Sequence, residues 1–585
     1  MKRFLVPLLG VILLMSFFPL AVSFKDSFLH DIYGEKTFAG FDNYVYLFSD
    51  RGFWLSLGIT VIWALASTAL MIYGGLSTAL FLYKTGRKKV TSLVIFLLFV
   101  PWGVPAYMAV PVWRALIHGN SGNSLLKLLT GISVNLITQP GGAFIATLWV
   151  SFWMVLPFTA FIFVGHLKKI PQDVIAAAKI DGANHRRLLS DILLPLMKPA
   201  VITVTVLNLV KFLKDFTVIF LMTGGGPPMP QLITERSILG ATTTAEVFLY
   251  DLFETARDIG IPSAFSFIMG LLILTIMLLW YRYQKRVKNA QSLISKTRPF
   301  GRDPNDLARR SVAFGLHFGS FPLIALISAG TVLSVYALIW MSFSKVDTTY
   351  IDTFCPRFFT AQNFSDLFVK EGILRYYANS LFLSVSCALL IPALTFGAAY
   401  AMTRISLKKQ TTILTVVNLS TVLSGVHSLI PLFVFFRIFK LTDSYLPLIL
   451  IYLSHAIPFS LLTLKTYLEH FPPSFYELAR LEGMPERTYL WKVLFPLSLS
   501  PIATSMIHTF LNAWNGFLAP MIFLNDDAKY PLSVKLYTYV GSVSSGDPKW
   551  GLFSAASILN LILIFALFGP LRRPLFQSIV SENPS

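Results

Sequence analysis

PQDVIAAAKIDGANHRRLLSDILLPL at 171–196 and PPSFYELARLEGMPERTYLWKVLFPL at 472–497 are one pattern written twice. A constant offset of 301 residues takes Ala178 to Ala479, Lys179 to Arg480, Asp181 to Glu482, Gly182 to Gly483 and Pro195 to Pro496. The same offset takes Phe216 to Phe517 further along. Each stretch reads as helix, break, helix. Pro171 and Pro472 suit a first helical turn. The Ala-rich turn around Ala177 and Ala178 offers a thin face for close approach to another protein. Gly182 and Gly483 reach the backbone angles that end a helix, and Pro195 and Pro496 mark the climb back into an apolar run. One such loop is an ordinary surface helix. Two, matched in spacing and placed alike in a repeating chain, point to a shared task.

The surrounding 585 residues are 55% hydrophobic, 14% aromatic and 13% charged, with a mean hydropathy of +0.66. Soluble proteins carry about 25% charged residues, so the composition excludes an ordinary cytosolic enzyme, and disorder needs the opposite balance. Two cysteines, Cys355 and Cys387, exclude a disulfide scaffold and a cysteine-rich metal site. Twelve apolar runs fall near 4–23, 55–82, 91–112, 143–166, 200–222, 263–281, 318–343, 380–402, 411–435, 446–467, 500–524 and 552–570. Each is long enough to cross about 30 Å of hydrocarbon, where helix is the form that satisfies its own backbone. The net charge of +19 comes from Lys and Arg between these runs, not from one basic domain. Arg87, Lys88, Lys168, Lys169, Arg186, Lys408 and Arg572 lie in alternate loops, while Asp26, Asp31 and Glu35 lie in the others. That asymmetry places both ends in the cytoplasm. A signal peptide at the first run is disfavoured by the lack of an A-x-A-like site after it. The expected fold is an all-α polytopic membrane protein, about twelve transmembrane helices in two pseudo-symmetric six-helix bundles: 1–281, a basic cytosolic linker 282–311, and 312–585.

The two loops resemble the EAA loop of ATP-binding-cassette importer permeases, in the sugar branch typified by maltose-type and glycerol-phosphate-type permeases. K-I-D-G-A at 179–183 and LMTGGGP at 221–227 carry the likeness in the first half. RYYANSLFLS at 375–384, YAMTRI at 400–405 and WNGFLAP at 514–520 carry it in the second. The resemblance implies two permeases fused in one chain. The first loop departs by having Ala176 in place of Glu, with Asp173 a turn earlier. The second keeps Glu477 but has Leu478 in place of Ala, and the tail 571–585 replaces the usual Gly-rich end. The resemblance implies a cytosolic ATPase dimer docked on Asp173, Ala177, Ala178, Asp181, Gly182 and Pro195, and on Glu477, Ala479, Glu482, Gly483 and Pro496. It also implies an extracytoplasmic solute-binding protein at outer loops such as 223–262 and 525–551, and alternating access driven by ATP.

A P-loop needs G-x-x-x-x-G-K-[ST] to cradle phosphates, and GGGPP at 224–228 lacks the Lys. Hydrolysis therefore falls to a partner, and no cofactor is implied. The nine histidines show no paired metal spacing. Polar groups inside spans are functional candidates because they are expensive there. The fifth span carries Asn208, Lys211, Lys214 and Asp215, and its counterpart Asn512, Trp514 and Asn515. In sugar permeases this helix hydrogen-bonds the sugar, and Trp514 is a candidate to stack on a sugar face. The competing structural reading is a Lys211–Asp215 pair four apart on one helical face, with Asn512 and Asn515 joining helices. Charged groups where Asn is common also fit an anionic or more polar solute. Two other transport readings stand beside the sugar branch. One is a fused ferric-iron or thiamine-type permease. The other is a twelve-helix secondary transporter, to which TGRKK at 85–89 bears a faint likeness.

Overall fold

The computed structural model describes residues 2–568 except 33–34, 85–87, 118–130, 132–134, 185–186, 234–237, 256–257, 295–305, 345–358, 423 and 542–547. Arg87, His185, Arg186, Cys355, the middle of the expected linker and the tail 571–585 lie outside the described residues. The described chain is almost wholly helical, with two short antiparallel hairpins, Leu29–Ile32 with Glu35–Phe38 and Pro228–Ile233 with Ile238–Gly240. Among the described residues eight helices are long and apolar enough to cross a membrane, or up to eleven spans if each bent helix pair counts as one. Trp550–Phe568 is a shorter apolar helix at the expected twelfth position.

The expected spans 91–112 and 411–435 are sharply bent helix pairs. Ser92–Gly103 and Ala106–Ile117 meet at 101°, and Leu407–Thr421 and Val426–Ile438 at 91°. Pro105, with no N–H to continue the first helix, opens the second limb by accepting from Met108 and Ala109. Gly425 does so in the other pair, its N–H donating to the Ser428 hydroxyl at 3.2 Å.

The chain divides into two compact units, and neither is a continuous half. One comprises Met1–Asp50, Phe248–Leu279 and Gly372–Thr538; the other Arg51–Val247, Trp280–Glu371 and Tyr539–Ser585. Each unit therefore takes its central spans from one half and flanking spans from the other. The expected boundaries 1–281 and 312–585 follow the sequence repeat; packing follows a different division.

In the first unit the N-terminal helix buries Leu5, Leu8, Ile12 and Met15 in a core shared with Cys387, Ile391 and Phe396 of helix Ile373–Thr403. The Leu29–Phe38 hairpin is tied down by Asp258. Its carboxylate accepts from His30 Nδ1 at 2.6 Å, and from the Asp31 and Gly260 amides at 2.9 and 2.8 Å. Asp31 also lies 3.4 Å from Arg437.

The second unit packs helix Arg51–Lys84 against Pro140–Lys168. Its unexpected feature is Arg114, buried at 8% exposure in helix Ala106–Ile117. The guanidinium donates to the carbonyls of Val540 at 2.9 Å, Gly541 at 3.2 Å and Leu221 at 3.4 Å, and lies 5.8 Å from the Trp550 ring centroid. These carbonyls belong to helix ends, where acceptors lack intrahelical donors. One planar fork thus satisfies three of them. Arg114→Leu strands those acceptors in an apolar surrounding, an expected loss of about 2–4 kcal/mol, seen as a clear drop in Tm of the purified protein. Arg114→Lys recovers only part of it, because a point charge does not span the three carbonyls. An unchanged Tm in Arg114→Leu would remove this role.

Candidate coupling elbows and the broken fifth spans

The two elbows repeat to the level of single hydrogen bonds. The first helix runs Gln172–Ile180 and the second Ser474–Leu481. In the first, Asp181 N–H donates to Ala177 O (2.9 Å), Gly182 to Lys179 O (3.1 Å) and Ala183 to Ala178 O (2.9 Å). In the second, Glu482 donates to Leu478 O (3.0 Å), Gly483 to Arg480 O (3.1 Å) and Met484 to Ala479 O (2.9 Å). Gly182 and Gly483 hold φ of +78° and +65°, left-handed angles that a side chain makes costly. Asp173 and Glu477 sit in the first turns, where the helix dipole favours an acid, and Lys179 and Arg480 in the last.

Of the Ala-rich turn, Ala178 is turned inward, as is its counterpart Ala479, while Ala177 stays exposed. Ala178 and Ala479 are buried at 7% and 8% exposure, each packed on its own unit. Among the exposed residues an apolar set points outward: Val174, Ala177 and Ile180 in the first helix, and Phe475, Leu478 and Leu481 in the second. Ile180 and Leu481 are 85% and 84% exposed. These positions match at the same offset of 301 and recur at i, i+3, i+6, a single helical stripe. The sequence held the signal, an apolar residue just before each acid-Gly step. Hydropathy alone did not distinguish it in a chain rich in apolar residues.

Beyond each elbow the elements continue in parallel. A π-helical turn follows at Leu188–Leu193 and at Leu490–Leu494. Pro195 and Pro496 then lie in the first turns of the next helices. The first fifth span runs Leu194–Leu213, breaks at 214–216 and resumes as Thr217–Thr223. Its counterpart bends by 74° near Ser498, runs Leu499–Trp514, breaks at 515–517 and resumes as Leu518–Phe523. Buried Phe216 and Phe517 start the two second pieces. In the first half one continuous helical element therefore links the elbow to an interruption inside an apolar span, and in the second two helices bent at Ser498 do so.

The bracing differs between halves. In the second, the Arg404 guanidinium lies 3.9 Å from the Tyr476 ring centroid and 5.4 Å from that of Tyr400, whose hydroxyl donates to Glu486 at 3.0 Å. Tyr476 meets Tyr489 edge-on at 5.4 Å. In the first, the Asn184 side chain accepts from Arg187 N–H at 3.0 Å and starts the next helix.

The polar residues expected to touch solute gather at the two breaks. Asn208 is buried, and its amide nitrogen makes no hydrogen bond among the described residues. Asp215 lies beside Lys211, Trp63 and Ser151, and its Oδ2 is also buried without a hydrogen bond. Lys211 and Asp215 do not close a contact ion pair among the described residues. The Lys211 ammonium instead lies 5.0 Å from the Phe212 ring centroid. Lys214 is close to Glu246. In the second half Asn515 Oδ1 is buried without a hydrogen-bond partner among the described residues, as is Nδ1 of His508, which the sequence reading missed and whose ring stacks on Phe459 at 4.0 Å. Asn512 is half-buried. Trp514 is 2% exposed and stacks on Phe510 at 5.5 Å, so protein already covers a ring face. At the second break the Gly516 carbonyl accepts from Ser533 at 2.6 Å, and a Cβ at Gly516 would collide with the Tyr452 ring and hydroxyl.

Interrupted apolar spans that carry buried polar atoms without hydrogen bonds among the described residues, each reached from an exposed elbow, fit a multi-pass membrane permease. The sequence profile of the family described as binding-protein-dependent transport system inner membrane component matches residues 71–289 and 380–571, and the chain belongs to that family. It is 32% identical over 282 residues to the trehalose/maltose transport system permease protein MalF of Thermococcus litoralis, covering 48% of this chain and 91% of the relative. It is 28% identical over 247 residues to the sulfoquinovosyl glycerol transport system permease protein SmoG of Agrobacterium fabrum, covering 42% and 76%. A chain from the crystal structure of a bacterial ABC transporter involved in importing the acidic polysaccharide alginate aligns over 48% of this chain and 100% of its own, at 22% identity and a TM-score of 0.37. The family match in both halves removes the secondary-transporter reading.

Gly516→Ala forces Tyr452 to move and is expected to lower Tm. Gly165→Ala, at a position where a Cβ meets nothing within 4 Å, is expected to be neutral or stabilising, since Ala is the better helix former. Equal Tm values for the two would show that the close approach at the break does not matter.

Proposed function

We propose that the chain is both permease halves of an ATP-driven importer for a sugar or related polar solute, which an extracytoplasmic binding protein delivers and a separate cytosolic ATPase dimer drives. The observation that carries this reading is the duplicated elbow: a helix with an outward apolar stripe, closed by a left-handed glycine and leading through a helical path, straight in the first half and bent at Ser498 in the second, to a break bearing buried polar atoms without hydrogen bonds among the described residues. An exposed apolar stripe on a short helix is what a groove in another protein accepts. The elbows and both termini lie in the cytoplasm, as the basic loops require.

The mechanism follows from connectivity. Residues 187–213 rise about 1.5 Å each along one element, so a shift at an elbow is carried some 40 Å to the break. The π-helical turns and the bend near Ser498 are where these elements yield, because such turns interrupt the i to i−4 ladder. At the breaks, Asn208 Nδ2 and Asn515 Oδ1 have no hydrogen-bond partner among the described residues, and Asp215, though set beside Lys211, Trp63 and Ser151, keeps its Oδ2 open. Orphan groups of this kind call for an occupant, and hydroxyls of a sugar supply both donors and acceptors. Trp514 supports Phe510 from within the core in this conformation and acts on the solute through position. The sugar branch is favoured over the ferric-iron or thiamine branch by the relatives named above, which carry trehalose or maltose and sulfoquinovosyl glycerol in their names. The 1–281 and 312–585 segments are the two ancestral permease units.

Ile180→Asp with Leu481→Asp is expected to reduce co-purification of the partner ATPase at least tenfold while leaving membrane insertion intact; undiminished co-purification removes the docking proposal. In binding-protein-dependent uptake of a panel of labelled sugars, Asn208→Ala and Asp215→Asn are expected to raise the apparent KM several-fold with Tm little changed. A lower Tm with unchanged KM would assign both residues to holding the bundle together.

A further inference from the structure

The cytosolic end of the first half holds a groove of about 420 Å³, within the ~300–1,000 Å³ range of small-molecule sites. One wall is the end of helix Pro140–Lys168 with the residues that follow it, including Ile162, His166 and Lys169. The other is the face of Leu194–Leu213 that carries Met197, Thr203 and Leu207. We propose that this groove binds an anionic membrane phospholipid, with an acyl chain along the apolar wall and the phosphate at the Lys169 end.

Three observations support the assignment. Both walls are membrane-spanning helices, and Leu196 and Leu207 at the rim are half exposed, so the groove opens toward hydrocarbon. Its mouth is basic. Lys169 and nearby Lys198 are exposed and have no acidic partner among the described residues. His166 Nδ1–H donates to Ile162 O at 2.9 Å, which leaves Nε2 for another group. Basic pockets between spans at the cytoplasmic surface suit anionic headgroups. The third observation is an internal contrast. At the offset of 301, His166 becomes Tyr467, Lys169 becomes His470 and Leu196 becomes Leu497. Tyr467 hydroxyl donates to Leu497 O at 2.8 Å and bridges the two walls. Ile170 becomes Phe471, whose ring lies 6.1 Å from that of Tyr467. The repeated fold therefore does not require the groove: the half that carries the lysine leaves it open, and the half without the lysine bridges it.

This inference rests on the proposed cytosolic side of the elbows for its choice of leaflet. The test uses the full purified chain, without any ATPase, in nanodiscs of equimolar phosphatidylglycerol and phosphatidylcholine, with retained lipid counted by native mass spectrometry. The expected result is preferential retention of phosphatidylglycerol by the wild type. Lys169→Glu is expected to reduce it at least fivefold, and Ala200→Trp, which fills the groove, to do the same. His470→Glu, the counterpart of Lys169, leaves it unchanged. Equal retention of the two lipids by the wild type, or undiminished phosphatidylglycerol on Lys169→Glu, overturns the proposal; Lys169→Glu decides it even if Ala200→Trp fails to fold. Loss of ATPase docking leaves this readout unmoved, so the two proposals fail separately.

Discussion

The account depends on one backbone turn made twice. A helix ending in water leaves carbonyls without donors, and here Ala178 O and Ala479 O are satisfied by the amides of Ala183 and Met484 across a left-handed glycine. An L-residue in that conformation costs about 1–2 kcal/mol, so the acid-Gly step belongs to the geometry. The turn sets which side of each elbow helix faces its own unit. It buries Ala178 and Ala479 and leaves Ile180 and Leu481 outside. It also aims the chain into the π-helical turn and the long helix beyond. Without it the exposed stripe and the break in the span would have no fixed relation.

The second constraint is the hydrocarbon itself. An interrupted span frees amides and carbonyls that lipid does not satisfy. The protein meets part of this demand with its own side chains, as Ser533 does for Gly516 O and Arg114 for three carbonyls at helix ends. Among the described residues it leaves Asn208 Nδ2, Asp215 Oδ2 and Asn515 Oδ1 without hydrogen bonds. A protein that satisfies backbone groups yet leaves side chains open beside the same breaks is arranged for an occupant that comes and goes.

Much of this was legible in the sequence, because the offset of 301 fixed the elbows, their glycines, both prolines and Phe216 with Phe517 before any coordinates. The repeat extends further than those residues showed, to the π-helical turns and both breaks. Other features were hidden for physical reasons. Apolar spacing separates inside from outside only when the outward positions are polar; here the buried Ala178 and Ala479 and the exposed Ile180 and Leu481 are all apolar, so the inward turn left no trace. Which unit the flanking spans join depends on packing between distant segments, and no local pattern records it. Arg114 was passed over because its partners are backbone carbonyls, which carry no residue identity. The 101° and 91° breaks had their signals in Pro105 and Gly425, residues that also occur inside intact spans.

The halves have kept their frame and diverged in detail: charged groups at one break and amides at the other, an arginine–tyrosine brace at one elbow and an asparagine cap at the other. Such divergence fits a fused pair whose two sides meet different parts of one solute and one motor. The central claim is that the work comes from outside this chain. Its most direct test is uptake of labelled solute into liposomes containing the purified chain, with and without its cytosolic ATPase, binding protein and ATP. Accumulation only with all three present is the predicted result. Accumulation by the chain alone would contradict the account.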